Sequence, residues 1–242
     1  MAKKLALTAD KVRKRKMAFL MTKIVILVLF MVMLVAFILL SIVFSVNRFT
    51  ISLDSKLQDE DGIVIYTSMK ERASQRKLYA DTVPNMDNIT YDWIDKEDLT
   101  GNREGSHNGN NYIAYTFYVG NEGERTIHYW YQINILDVIK NVDEAIRVMV
   151  FKNGNKVIYA KNNKETEQPE PNTVAFKGDD TVMLELSENF KVGDIDKWTV
   201  VVWVEGDDPE CKDDLIGGEI KMHMTLTEEH ILQEDEVLQN KR

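Results

Sequence analysis

The sequence predicts a mainly β protein, a two-sheet antiparallel β-sandwich of jelly-roll or Ig-like type, preceded by a single transmembrane α-helix. Three observations support this prediction: an uncharged apolar run near the N-terminus, strict alternation of apolar and polar residues in four later segments, and turn-forming sequences between strands. The chain has 242 residues and one cysteine, which excludes an internal disulfide framework. A ligand-enclosing barrel is the alternative fold.

The apolar run covers residues 24–46, between Lys23 and Arg48, and it contains no charged side chain. A helix of this length extends about 34 Å, which is sufficient for a hydrocarbon core of about 30 Å. Such a helix also satisfies its own backbone hydrogen bonds in lipid. We therefore predict a transmembrane helix over residues 24–46. The residues that mark the predicted anchor along its length are Ile24, Leu29, Leu34, Leu39 and Val46.

Charge is distributed unevenly about this run. Residues 1–23 contain eight Lys or Arg and one Asp, a net +7, so the whole-chain charge of −9 leaves −16 for the remainder. Because basic flanks stay on the cytoplasmic side, we expect residues 1–23 in the cytoplasm and the rest of the chain outside the cell membrane. The basic residues can pair with anionic lipid headgroups, so the lipid bilayer is an expected partner. The acidic remainder does not favour a nucleic-acid partner.

A cleaved signal peptide is the alternative to an uncleaved anchor. Val43 and Ser45 have the −3/−1 spacing of a cleavage site, and cleavage after Ser45 would release the protein. The run is, however, longer than the roughly 7–15 apolar residues typical of signal sequences, and it lacks an A-x-A-like site. The uncleaved single-pass anchor is therefore the preferred prediction.

Residues 47–226 are predicted to form the extracellular sandwich, and residues 227–242 a polar C-terminal tail. Alternation of period two indicates strands with one buried and one solvent-exposed face, as in antiparallel sheets. The pair Asn153 and Gly154 predicts a tight hairpin, because both residues accept positive φ. The four alternating segments are residues 112–119, 126–136, 198–204 and 219–226.

No catalytic motif is recognisable in the sequence. P-loop, G-x-S-x-G and G-x-G-x-x-G motifs are absent, and no two histidines have metal-ligand spacing. His128 and His223 fall on the polar faces of strands, where we expect them to be exposed. Cys211 lies among acidic residues that would oppose a thiolate. The sequence therefore predicts a non-enzymatic protein.

The densest acidic stretch lies in residues 205–218, here termed the acidic loop. Carboxylates this close in sequence repel one another unless a cation or water screens them, so a Ca²⁺ site is one hypothesis. A solvated turn between two core strands, with no cofactor, is the simpler interpretation, because the spacing does not match an EF-hand. The candidate Ca²⁺ ligands are Asp207, Asp208, Asp213 and Asp214.

Aromatic residues concentrate in two of the predicted strands. Alternation places Tyr118 and Trp130 on the face opposite Phe117 and Tyr129. An exposed second face would make Tyr118 and Trp130 a binding platform for sugar or protein. Large aromatic residues more often pack against a further layer of the protein, so burial is the preferred interpretation and the platform is the alternative.

Two segments resemble a known family. YIAYTFYVGNEGERTIHYWYQI (residues 112–133) and WTVVVWVEGDDPECKDDLIGGEIKMHM (residues 198–224) are similar to surface proteins of Gram-positive bacteria, the TasA/camelysin biofilm-matrix group. The closest feature is W-x-E-G-x-D-P-x-C-x-D-D-x-I-G-G, from Trp203 to Gly218. The resemblance implies a β-sandwich. Members of that group are normally released by signal peptidase, whereas this chain is expected to keep its helix. Some camelysin-type members are classed as metalloproteases, but this sequence has no zinc motif to carry that activity.

These observations lead to one leading functional hypothesis and two alternatives. The leading hypothesis is a non-enzymatic, single-pass surface protein whose outer sandwich serves envelope-associated adhesion or assembly with other envelope or matrix proteins. The first alternative is a cleaved, secreted biofilm-matrix or fibre subunit that assembles by strand addition at exposed sheet edges. The second is a metal-dependent hydrolase whose acids or histidines converge only in three dimensions.

Overall fold

A computed structural model describes residues 9–44 and 49–228 of the chain. The chain divides into two compact units, Met1–Val46 and Asn47–Arg242. The first unit contains a helix and the second contains the sheets. Most of the predicted polar tail, residues 229–242, lies outside the described residues, and Thr227 belongs to the last strand of the second unit.

Helix α1 (Ala9–Phe44) is longer than the predicted anchor, because it begins in the basic segment. Lys, Arg, Ala and Met are good helix formers, so the helix continues through them. Its segment Arg13–Ile38 is long and apolar enough to cross a membrane, as an N-terminal signal sequence also is, and no side chain in it is buried. Among the predicted anchor residues, Ile24, Leu29 and Leu34 are exposed on this helix. Leu39 also lies in the helix, where the structure describes its backbone alone. Val46 lies outside the described residues.

Twelve strands lie within the described part of the second unit, with short helices α2 (Ser55–Asp59) and α3 (Lys96–Thr100). The strands are β1 (Thr50–Leu53), β2 (Ile63–Tyr66), β3 (Lys77–Tyr79), β4 (Gly105–Ser106), β5 (Ile113–Asn121), β6 (Ile127–Ile139), β7 (Ile146–Lys152), β8 (Asn155–Ala160), β9 (Val174–Ala175), β10 (Thr181–Phe190), β11 (Ile195–Val204) and β12 (Glu219–Thr227).

The strands form two sheets. A five-stranded sheet has the order β10-β6-β12-β1-β3, and a seven-stranded sheet has the order β2-β5-β11-β7-β8-β9, with β4 paired to β5. The predicted fold, an apolar helix followed by a β-sandwich, is therefore confirmed. Each sheet is mixed, because β1 runs parallel to β12 and β8 runs parallel to β9. A parallel pair needs a long connection, and residues 161–173 provide one between β8 and β9.

The predicted hairpin joins β7 and β8. Asn153 has a φ of 51° and Gly154 a φ of 84°, and Lys152 pairs directly with Asn155 across the turn. Positive φ at both central residues makes a turn whose twist matches that of the flanking strands. The Asn-Gly pair therefore sets the register of these two strands.

The main core lies between the two sheets and is rich in aromatic side chains. Trp198 of β11 is completely buried. Its ring centroid lies 4.7 Å from that of Tyr131 on the opposite sheet and 6.3 Å from that of Phe117 on the neighbouring strand. Edge-to-face and stacked aromatic pairs of this kind add to the free energy gained by burial.

A second apolar cluster covers the outer face of the seven-stranded sheet. Residues from the long segment between β3 and β5 pack there against Met149, Val201 and Trp203. The central strands β5, β7 and β11 are consequently buried on both faces. The expectation of one solvent-exposed face was wrong for β5 and β11, whereas β6 keeps the predicted alternation. We term the chain between β3 and β5, residues 80–112, the covering segment. Its residues in this cluster are Ile89, Ile94, Leu99 and Tyr112.

His223 is half-buried, contrary to the expectation of an exposed histidine. Its Nε2 lies 2.7 Å from Ser52 Oγ, and its Nδ1 is within hydrogen-bonding distance of Thr50 Oγ1. The register of the parallel pair β1–β12 sets Thr50 opposite His223. Burial, and to a smaller extent the charge of Lys77, lower the pKa of His223. The folded protein therefore favours its neutral ring.

Two substitutions on β6 test the two faces of this strand. Ile133 is completely buried, whereas Leu136 is 57% exposed. We expect Ile133→Ala to reduce the free energy of unfolding by about 2–5 kcal/mol, because it removes core contacts and leaves a cavity. Leu136→Ala is the matched control and should change it by no more than about 0.5 kcal/mol. Chemical denaturation followed by tryptophan fluorescence measures both, and similar losses would contradict the assigned burial.

A second prediction concerns the acid stability of the second unit, Asn47–Arg242. The pKa of His223 is lower in the folded than in the unfolded protein. Its neutral ring therefore contributes fully to the free energy of unfolding above about pH 6.5, and this contribution is lost as the pH falls below that value. His223→Gln should therefore reduce the loss of stability between pH 7.5 and pH 5. His128→Gln, at an exposed position of β6, should leave the loss unchanged. Thermal unfolding at both pH values is the measurement, and equal effects of the two variants would refute the assignment.

Candidate functional site

The acidic loop connects β11 to β12 and begins as a direct extension of the core. The Trp203 indole donates to Glu205 Oε2 at 2.9 Å, so the last core side chain of β11 also fixes the first carboxylate of the loop. The backbone N–H of Glu205 donates to the Ala145 carbonyl at 2.8 Å, and that of Gly206 donates to the Ile89 carbonyl at 2.9 Å. The loop is therefore attached to the start of β7 and to the covering segment.

The structure does not bring the four predicted Ca²⁺ ligands together. Asp207 is exposed, and Asp213 and Asp214 are exposed in a short 3₁₀ turn, Asp213–Leu215. Asp208 alone of the four is buried. Carboxylate oxygens from Glu170, Asp208 and Glu210 lie within 4.8 Å of one another. We term these three residues the carboxylate cluster.

The cluster joins two loops that are distant in sequence. Glu170 comes from residues 161–173, between β8 and β9, whereas Asp208 and Glu210 belong to the acidic loop. The backbone N–H of Lys164 donates to Glu210 Oε1 at 3.3 Å, which links the two loops directly. Sequence reasoning missed Glu170, because that loop showed only a polar composition and no ligand spacing. Nothing in the linear pattern relates its position to Asp208.

Arg147 of β7 supplies positive charge at the cluster. Its Nη2 lies 2.6 Å from Asp208 Oδ2 and 3.8 Å from Glu170 Oε2. Arg147, Asp208 and Glu170 are all buried, so the attraction between their charges is weakly screened. Within the described residues, Glu170 Oε1 is buried and has no hydrogen-bond partner. One guanidinium therefore pairs with two of the three carboxyl groups of the cluster.

Glu210 is half-buried at the edge of the cluster. Burial, followed by a hydrogen bond between its carboxyl group and Asp208, raises the pKa of Glu210, although the Lys164 backbone N–H acts in the opposite direction. The Glu210 backbone N–H donates to Asp208 Oδ1 at 2.8 Å and holds the two residues together. The cluster therefore concentrates more negative charge than Arg147 alone offsets.

The acidic loop also forms a wall of a cavity of about 680 Å³. The floor is apolar and includes Ile113, Ile146 and Val204, whereas Asp213 and Lys212 of the loop contribute polar groups. Cys211 lines the cavity, and its Sγ accepts a hydrogen bond from Asn88 Nδ2 at 3.2 Å. An apolar floor with a few polar groups is typical of sites for small molecules or for a side chain of a partner.

The predicted aromatic platform does not form. Tyr118 is only 7% exposed, and its ring stacks on Tyr66 with centroids 5.6 Å apart. Its hydroxyl donates to Glu104 Oε1 at 3.2 Å, and burial raises the pKa of Tyr118 to about 12. Trp130 lies on β6, in the other sheet, and is half-buried. The two residues share no surface, because their strands belong to different sheets.

Sequence reasoning also missed an aromatic cage around Lys152. Its Nζ lies 4.7 Å from the ring centroid of Tyr131, 5.2 Å from that of Trp198 and 5.4 Å from that of Tyr129. Asp196 Oδ2 lies 3.4 Å from the same nitrogen, and burial is the main cause that lowers the pKa of Lys152. The lysine of the chain itself occupies this cage. We therefore interpret it as a contact that holds the two sheets together.

A smaller cavity of about 360 Å³ lies beside this cage. Glu185 on β10 accepts hydrogen bonds of 2.7 Å from the hydroxyls of Tyr131 and Tyr159, which come from the two different sheets. These bonds close the edge of the sandwich between β8 and β10. The arrangement draws residues from both sheets and has no signature in the linear sequence.

Comparison with known proteins gives little similarity. No protein-family model and no curated protein matches the sequence. The β-glucosidase from Kluyveromyces marxianus in complex with glucose is 10% identical with a TM-score of 0.25, over 78% of this chain and 19% of that chain. The Se-Met labelled form of that enzyme is 11% identical with a TM-score of 0.24, over 74% and 17%. The chain thus spans about one fifth of these structures, and likeness at this level supports no statement about activity.

The buried ion pair leads to a prediction for the acidic loop. Asp208→Asn should reduce the free energy of unfolding by about 3 kcal/mol, because it leaves the buried Arg147 guanidinium without its close carboxylate. Asp213→Asn removes an exposed carboxylate from the same loop and should change it by less than about 0.5 kcal/mol. Urea unfolding of the two variants and the parent measures the difference. Equal stability of the two variants would contradict the importance of the pair.

Proposed function

We propose that this is a non-enzymatic, single-pass, membrane-anchored surface protein whose outer β-sandwich serves envelope-associated adhesion or assembly. The observation that carries the proposal is helix α1, whose segment Arg13–Ile38 is long and apolar enough to cross a membrane, has no buried side chain and is uncharged from residue 24 onward. A helix that is apolar on every face needs an apolar environment, and lipid supplies it. The separate unit Asn47–Arg242 has its own hydrophobic core.

Charge supports the orientation of the anchor. Residues 1–23, which include the start of α1, hold a net +7, and the remainder of the chain carries −16. We infer that the basic start of the helix stays in the cytoplasm and that the sandwich is translocated, since cytoplasmic flanks are enriched in Lys and Arg. The resemblance of residues 112–133 and 198–224 to the TasA/camelysin group agrees with a place in a bacterial envelope.

The outer unit offers one site that suits a partner. The cavity of about 680 Å³ beneath the acidic loop combines an apolar floor with polar groups at its wall. An anionic outer domain repels other anions, which favours neutral or cationic partners at this surface. Adhesion through this cavity is therefore the interaction that we propose for the sandwich.

A cleaved, secreted fibre subunit is the second candidate. Strand β10 is ten residues long and, among the described residues, pairs with β6 on one side only. An edge strand of this length can use its open side to accept a strand from another chain. Cleavage after Ser45 would be required to release the subunit. N-terminal sequencing of the mature protein distinguishes the candidates, because the anchored form keeps Met1 or Ala2 and the cleaved form starts at Val46.

A metal-dependent hydrolase has less support. The carboxylates of Glu170, Asp208 and Glu210 do converge, as that hypothesis requires. Two of the described histidines, however, make hydrogen bonds to hydroxyls of neighbouring strands instead of joining the cluster. His107 Nε2 lies 2.9 Å from Thr116 Oγ1, and His223 lies 2.7 Å from Ser52 Oγ. These contacts are structural in character.

Cysteine labelling of intact cells tests the topology. In a Cys211→Ser background, a membrane-impermeant maleimide should label Val192→Cys, because Val192 is 52% exposed on the outer unit. Lys14→Cys lies in the basic start of α1 and should be labelled only after lysis. The two variants serve as matched controls for one another. Labelling of Lys14→Cys but not Val192→Cys on intact cells would overturn the proposal.

A further inference from the structure

We propose that the carboxylate cluster of Glu170, Asp208 and Glu210 is a binding site for a divalent cation with oxygen ligands, Ca²⁺ in particular. The proposal differs from the site expected from sequence, because it shares only Asp208 with the predicted set. It does not depend on the membrane topology proposed above.

The first argument is the balance of charge. Three carboxyl groups approach within 4.8 Å of one another, and Arg147 pairs with two of them, those of Asp208 and Glu170. The neighbouring lysines are directed elsewhere, because Lys161 pairs with Asp143 and Glu144 and Lys164 Nζ lies 3.4 Å from Glu144. When all three carboxyl groups are ionised, the cluster and Arg147 together carry two negative charges. A divalent cation neutralises them.

The second argument is the state of Glu170. Its side chain is only 7% exposed, and its Oε1 is buried without a hydrogen-bond partner among the described residues. Its Oε2 lies 3.8 Å from Arg147 Nη2, which is too long for a hydrogen bond. A buried carboxylate oxygen with no partner is costly. A cation bound between the two loops would supply the missing partner.

Geometry and ligand chemistry favour Ca²⁺ among divalent cations. Two oxygens that bind one Ca²⁺ at about 2.3–2.6 Å lie at most about 5 Å apart, and the separations in the cluster fall within that limit. Mg²⁺ requires about 2.0–2.1 Å and near-octahedral geometry, so it needs a tighter site. The cluster contains neither His nor Cys, the nitrogen and sulfur ligands that zinc sites favour.

The position of the cluster gives the cation a structural consequence. Glu170 lies on the loop between β8 and β9, and the other two residues lie on the acidic loop that walls the large cavity. A hydrogen bond from the Lys164 backbone N–H to Glu210 Oε1 already links these two loops. A bound cation would add ligand bonds between the two loops, and we expect it to stabilise this end of the sandwich and the cavity wall.

Calcium titration of the full-length protein in detergent micelles tests the site. After treatment with EGTA and removal of the chelator, CaCl₂ should raise the midpoint of thermal unfolding, since a ligand that binds only the folded state stabilises it. At a concentration of about one hundred times Kd, the expected rise is about 5–10 °C for a domain of this size. MgCl₂ at the same concentration should give a smaller rise. Isothermal titration calorimetry measures the affinity and stoichiometry directly.

Substitutions test whether the cation binds at the carboxylate cluster or at other acidic residues of the acidic loop. Glu170→Gln and Glu210→Gln keep side-chain size and remove one ligand charge, so each should weaken Ca²⁺ binding at least tenfold. Asp207→Asn and Asp213→Asn remove exposed charges from the same loop and should leave the affinity unchanged. If Glu170→Gln fails to fold by circular dichroism, the half-buried Glu210 provides the deciding variant. Absence of a Ca²⁺-dependent shift in the parent, or equal weakening by Asp207→Asn and Asp213→Asn, would overturn the proposal.

Discussion

The burial of strand β11 on both faces is the constraint on which the rest of the second unit, Asn47–Arg242, depends. Trp198 points from it into the space between the sheets, and Trp203 points to the opposite side, under the covering segment. A strand with two apolar faces requires a layer above and a layer below it. The five-stranded sheet supplies one layer, and the chain between β3 and β5 supplies the other. Because Trp203 also binds Glu205, the same strand positions the acidic loop.

Local patterns predicted those parts of the fold that depend on neighbouring residues. Alternation located β6 and β12, and the Asn153-Gly154 pair located the β7–β8 hairpin, because strand faces and tight turns depend on residues close in sequence. Alternation alone could not decide between burial and exposure of Tyr118, since the residues that cover it come from distant parts of the chain. The parallel pairing of β1 with β12 was equally inaccessible, because it joins the two ends of the unit.

The candidate site likewise combines a part that local sequence predicted with a part that depends on distant residues. Sequence reasoning identified the acidic loop and included Asp208, but it could not choose Asp208 from its exposed neighbours. The choice depends on Arg147 and Glu170, which two other segments bring to the loop. Coulombic pairing in a buried setting acts through space and leaves no spacing rule in the sequence. Asp207, Asp213 and Asp214 are exposed, as expected for a solvated turn between two core strands.

Helix α1 has a mechanical property that does not depend on the anchoring role proposed for it. It runs from Ala9 to Phe44 and contains neither glycine nor proline, the usual causes of sharp kinks. Thirty-six residues of helix extend about 54 Å, well beyond a hydrocarbon core of about 30 Å. The basic and apolar segments therefore form one stiff rod. A torque or tilt applied to its charged end is transmitted along the whole rod, so the two ends cannot rotate independently.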